Sequence, residues 1–122
     1  MKIHSMWDQY PLLRGELVAT NELLKKNITL KNQAVREAIL ARLLSGGKML
    51  RPAYCLLFSY YSPQRDAERA QAIAAALELL HTATLMHDDV IDEAGTRRGQ
   101  ETMNRAFGNQ IAVYSGDYLF TV

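Results

Sequence analysis

The chain has 122 residues, 48% apolar content and a net charge of +1, which bounds it to one globular domain at most. Near-neutral charge leaves no electrostatic footprint for nucleic acid or an anionic membrane surface. The single Cys55 excludes an internal disulfide, suits a reducing cytoplasm and is expected simply to pack.

The amino terminus, Met1-Lys2-Ile3-His4-Ser5, has no signal-peptide core, and no run reaches transmembrane length. Residues 7–26 read as an amphipathic helix with Tyr10, Leu13, Leu17 and Leu24 on one stripe, Asp8 as a cap and Pro11 in the first turn. Trp7 either packs back or faces an interface. Asn32 starts a second helix carrying Val35, Ile39, Leu40, Leu43 and Leu44, which Ser45-Gly46-Gly47 stops. A third begins near Leu50-Arg51-Pro52 and runs to about Tyr61. Asp66 then caps a long helix from Ala67, rich in Ala, Leu and Ile, with Gly95 as its left-handed stop. Apolar nearly all round, it is expected to be buried. A short helical piece, Glu101 to Phe107, and a last apolar helix, Gln110 to Val122, complete the chain. No segment alternates with period two, so no strands are expected and the fold class is all-α. No repeat, linker or internal domain boundary stands out. The remaining helices would scarcely cover the long one, so further chain or partner subunits are expected beside it.

The end of the long helix carries the chemistry. Asp88 and Asp92 are four apart and share a face, while Asp89 points about 100° away. A helix C-terminus already bears a partial negative charge, so three acids there repel both it and each other. A bound divalent cation eases such a cluster, whereas a merely solvated helix end would not need the apolar neighbours Leu85, Met86, Val90 and Ile91. His81 lies about two turns, roughly 10 Å, below Asp88 on the same face. Alone it would read as a core histidine. A second charged stretch, Gly46-Gly47-Lys48-Met49-Leu50-Arg51-Pro52, puts two cations beside a glycine pair at a helix start, a setting suited to phosphate or diphosphate. It is not a P-loop, since the spacing and the preceding strand are missing. Two anion sites therefore emerge. One is direct, from Lys48 and Arg51 with His81 and Arg98. The other works through hard-cation coordination by Asp88, Asp89 and Asp92, aided by Arg97.

Gly46-Gly47-Lys48-x-x-Arg51-Pro52, Glu78-x-x-His81 running into Asp88-Asp89-x-x-Asp92, and Arg97-Arg98-Gly99 together resemble the trans-type polyprenyl diphosphate synthases. The resemblance runs from about residue 40 to the end and includes Phe107-Gly108-Asn109 and Ser115-Gly116-Asp117-Tyr118. It implies the amino-terminal portion of an isoprenoid-synthase-type helical bundle around a central cavity, residues 1–122 being a partial domain, usually in a homodimer. It also implies that Asp88, Asp89 and Asp92 bind Mg²⁺ and, with Arg97, the allylic diphosphate. Gly47, Lys48, Arg51, His81 and Arg98 are implied to bind isopentenyl diphosphate. The implied reaction is metal-assisted ionisation of the allylic diphosphate, attack by the isopentenyl double bond and loss of a proton. Peripheral membrane contact for product release is a further expectation.

Two departures from the family pattern stand out. Met49 occupies a position that is commonly basic, with little effect expected because Lys48 and Arg51 are intact. The second aspartate-rich motif is not found after residue 92, Asp117 being solitary, so this stretch alone is expected to be inactive. Ala83 and Thr84, about one turn below Asp88, are small where short-product members often carry an aromatic ring. Ala76 continues that small lining, while Leu77 and Leu80 could narrow it. A product of C20 or longer is expected, the resemblance favouring C30 to C40, with Ala83→Phe shortening it. Three rival readings remain: an HD-type metal-dependent phosphohydrolase around His87-Asp88, a di-iron bundle from Glu78-x-x-His81, which would need a second such motif, and a non-catalytic partner subunit of a split synthase.

Overall fold

A computed structural model describes residues 3–44 and 47–122. A 3₁₀ turn, Ser5–Trp7, leads to α1 (Pro11–Asn27), α2 (Gln33–Leu43), α3 (Leu50–Ser59) and α4 (Ala67–Ile91). Strands β1 (Thr96–Arg97) and β2 (Gln100–Glu101) follow, then α5 (Met103–Phe107) and α6 (Asn109–Thr121). The all-α class therefore holds, with one small hairpin as a correction to the expectation of no strands. The chain groups into two compact units, one ending at Glu78 and the other running from Leu79 to Val122.

In the first unit α1 packs on α3 and on the 3₁₀ turn. Their shared core holds Ile3, Trp7, Leu13, Leu17, Ala53, Leu56, Ala70 and Ala74, with Val18, Met49 and Cys55 against it. Burial pushes the Cys55 thiol up, away from a reactive thiolate, so packing is its role. The first helix starts later than its apolar stripe suggests. Pro11 takes the opening position, where its missing N–H costs nothing, and Asp8 pairs with Arg14 at 3.3 Å instead of capping. Trp7 packs inward. At the starts of α2 and α4 the expected caps are in place, Asn32 Oδ1 accepting from the Val35 N–H at 3.2 Å and Asp66 Oδ1 from that of Arg69 at 3.2 Å. The Ser45-Gly46 part of the expected stop after α2 lies outside the described residues. Beside the core, Glu16 accepts from Arg65, Tyr60 and Gln71, and the Arg65 guanidinium lies 4.0 Å over the Tyr60 ring.

In the second unit α5 packs on α6. Helix α4 does not stop at Gly95. Glu93 takes the left-handed conformation at φ 53°, the Ala94 N–H donates to the Asp89 carbonyl at 2.9 Å, and that of Glu93 to Val90 at 3.2 Å. This is a Schellman closure two residues earlier than expected, and it leaves Gly95 free to begin the hairpin. Nor is α4 buried all round. Ile73, Leu77, Leu80 and Ile91 are exposed, the last at 76%, so an apolar face of this helix is bare among the described residues.

Candidate diphosphate and metal site

The α4 terminus sorts its three aspartates by environment. Asp88 and Asp92 are exposed, whereas Asp89 is buried at 6% exposure. The hairpin explains the difference. Arg97 in β1 pairs with Gln100 and Thr96 with Glu101, leaving Arg98-Gly99 as a two-residue turn. Both turn residues have positive φ, 51° and 77°, as a type I′ turn requires. This turn aims Arg97 back at the helix, where its Nε (2.9 Å) and Nη2 (2.7 Å) both donate to Asp89 Oδ1. That hydrogen bond raises the Arg97 pKa against the opposing effect of desolvation, and the charges of Asp89, Asp88 and Asp92 add to it. A fixed cation thus offsets the repulsion that acids meet at a helix C-terminus.

Side chains beyond the hairpin lock the arrangement. Thr102 Oγ1 donates to the Ala94 carbonyl at 2.8 Å and accepts from the Arg105 N–H at 3.3 Å, so one buried hydroxyl both closes α4 and caps α5. Asn104 Nδ2 donates to the Ala94 carbonyl at 2.9 Å. On the other side His87 Nε2 faces the Val113 carbonyl at 3.1 Å and Asp117 Oδ1 at 3.2 Å, with its ring 5.6 Å from that of Phe120. Two acceptors at one ring nitrogen assign the N–H to Nε2. Gly116 makes room for this ring, since a Cβ there would clash with Nε2. Sequence reasoning missed these supports. Ser-Gly-Asp and Thr-x-Asn are ordinary local patterns, and only the fold brings them to α4.

Among the described residues, no three His, Cys, Asp or Glu side chains form a ready-made metal cage. The donor set still fits Mg²⁺, which usually takes one or two carboxylates and completes its shell with water and substrate phosphate. Asp88 and Asp92, exposed and one turn apart, offer that partial set, whereas Asp89, expected as a third ligand, is buried with its Oδ1 engaged by Arg97. Below them, Thr84 is exposed and its Oγ1 donates to the His81 carbonyl at 2.7 Å, whereas Ala83 is fully buried. His81 is half-buried, and Arg98 is exposed in the hairpin turn.

The second charged stretch belongs to the first unit. Lys48 and Arg51 are both exposed, with Arg51 in the first turn of α3, and Gly47 is half-buried. Met49, before the helix, is left-handed at φ 54° and ψ 39°, and its carbonyl accepts from the Ala53 N–H at 3.0 Å. The four side chains expected to bind isopentenyl diphosphate are thus divided, Lys48 and Arg51 in one unit and His81 and Arg98 in the other.

The Polyprenyl synthetase family model matches residues 32–122. The chain belongs to this family. It is 42% identical over 120 residues to heptaprenyl diphosphate synthase component 2 of Geobacillus stearothermophilus, covering 98% of this chain and 36% of that relative. Among solved structures, it superposes on geranylgeranyl pyrophosphate synthase of Lactobacillus brevis at a TM-score of 0.90 with 45% identity, covering 95% of this chain and 36% of that one. A polyprenyl synthase from Caulobacter crescentus, solved with calcium and isoprenyl diphosphate, superposes at 0.81 with 31% identity, covering 99% and 37%. The family member described here spans about a third of the length of the curated relatives it matches. Among its described residues, no helix is long and apolar enough to cross a membrane.

Proposed function

We propose that this chain carries the first aspartate-rich motif and the isopentenyl diphosphate loop of a cytoplasmic trans-prenyl diphosphate synthase. The observation that carries this reading is the sorting of the α4 terminus into two exposed acids and one buried acid that holds an arginine. Asp88 and Asp92 would hold Mg²⁺. When bound, the cation supplies Lewis-acid neutralisation of diphosphate charge. The calcium and isoprenyl diphosphate bound by the Caulobacter neighbour support this assignment. Asp89 serves the site through Arg97, which it keeps charged and aimed while the guanidinium donates to the allylic diphosphate.

The chemistry then balances without a redox partner. The allylic carbon–oxygen bond breaks and diphosphate leaves with the electron pair, its growing charge met by Arg97. The isopentenyl double bond, positioned through its own diphosphate by Gly47, Lys48 and Arg51, forms the new carbon–carbon bond. A proton then passes from the resulting cation to the departed diphosphate, restoring an alkene one isoprene unit longer. A product of C20 or beyond is supported by the heptaprenyl and geranylgeranyl products named for the relatives. Thr84, on the exposed side of α4, and Ala83 beside it set that length.

A homodimer is the first reading of its assembly. The name "component 2" of the Geobacillus relative favours a second, in which a non-identical subunit completes the enzyme. The test is condensation of isopentenyl diphosphate with an allylic diphosphate by the intact gene product, alone and with candidate partners. Polyprenyl products of C20 or longer are expected, and a C15 end product overturns the length assignment.

A further inference from the structure

The geometry points to Trp7 as a positioning residue for the Lys48–Arg51 loop, setting affinity for the homoallylic diphosphate while leaving the allylic one alone. This rests on the isopentenyl diphosphate reading of that loop given above. Trp7 lies upstream of the family-matched residues, which begin at 32. Its indole Nε1–H donates to the Lys48 carbonyl at 2.7 Å, a contact across 41 residues of chain. The ring itself is buried at 6% exposure in the core of the first unit.

The loop needs such a restraint. Met49 is left-handed without being glycine, a conformation that L-residues adopt at a cost. Three contacts oppose a return to ordinary backbone: the Trp7 indole N–H on the Lys48 carbonyl, the Ala53 N–H on the carbonyl of Met49 itself, and packing of the Met49 side chain against the core. In this conformation the half-buried Met49 side chain packs against the core while Lys48 and Arg51 stay exposed. A buried indole is a rigid anchor for that purpose, because it has few rotamers to lose.

The experiment compares the intact gene product with Trp7→Phe, and with a position-7 tryptophan analogue whose indole N–H is replaced by sulfur. The analogue keeps the ring's shape, so it reports on the hydrogen bond even if Trp7→Phe folds poorly. Losing one such bond is expected to raise KM for isopentenyl diphosphate about fivefold. KM for the allylic diphosphate and kcat should stay within about twofold. Lys48→Ala and Arg51→Ala are measured alongside. If they leave KM for isopentenyl diphosphate unchanged, the reading of the loop itself fails. If they raise it while both Trp7 variants do not, or if the analogue raises both KM values equally, the positioning role is overturned and the loop assignment stands.

Discussion

Two carboxylate–arginine pairs, Glu16–Arg65 and Asp89–Arg97, share one chemistry and differ in what surrounds them. Around Glu16, Tyr60 and Gln71 donate to the same carboxylate, and Ser59 accepts from Arg65. All five of these residues lie within the first unit. Asp89 is likewise answered by Arg97, but its neighbours Asp88 and Asp92 remain exposed. One cation therefore stands in the field of three acids. A closed network contributes stability, whereas an open one holds charge ready for a ligand.

The largest expected effect separates the two outright. Asp88→Ala or Asp92→Ala should lower kcat of the intact gene product about a thousandfold. The melting temperature should hold or rise, because each change removes an acid from a helix C-terminus. Glu16→Ala should do the reverse, lowering the melting temperature by several degrees with kcat unchanged. Asp89→Asn falls between them. It keeps the shape but weakens the grip on Arg97, so a loss of about tenfold to a hundredfold in kcat is expected, with KM for the allylic diphosphate raised. Equal losses at Asp88, Asp89 and Asp92 would erase the distinction drawn between them.

Next in size is Gly116→Ala, whose added methyl meets the His87 ring. A cost of about 1–3 kcal/mol in stability is expected, read by denaturant unfolding. Thr84→Phe should then shorten the product with little loss of stability. Ala83→Phe should shorten it as well but destabilise the fold, since Ala83 has no exposed surface. Product chromatography beside melting curves checks both.

The smallest effect concerns pH. Burial alone would push the Glu16 carboxyl up, but hydrogen bonds from Arg65, Tyr60 and Gln71 and the charge of Arg65 hold it below its ordinary value of 4.5. A depressed folded pKa contributes stability that is complete above the unfolded value and is lost as pH falls through the folded one. The stability gap between wild type and Glu16→Gln should therefore be flat above 4.5 and shrink below it. A constant gap down to the acid transition would contradict this.

Much of this comparison was legible before folding, though unevenly. Helix periodicity, the Asn32 and Asp66 caps and the Asp88/Asp92 spacing are local properties that a window of a few residues contains. The hairpin was hidden because two-residue strands have no period to detect, although Arg98-Gly99 carries half of the usual turn signature. Gly95 looked like the helix stop because glycine favours left-handed backbone. Glu93 takes that role instead, since closing hydrogen bonds to Asp89 and Val90 outweigh a modest backbone cost. The partition of the acids depended on Arg97 returning from the hairpin, and the His87 support on Gly116 and Asp117 in α6. Neither is a property of one segment.

The most direct measurement is condensation by the intact gene product across a Mg²⁺ titration that begins in chelator, run on wild type, Asp88→Ala and Asp92→Ala. The expected result is no turnover in chelator, saturable recovery for wild type, and loss of that recovery in both variants. Equal turnover with and without divalent cation, or an unchanged Mg²⁺ response in the variants, would contradict the assignment of the exposed acids.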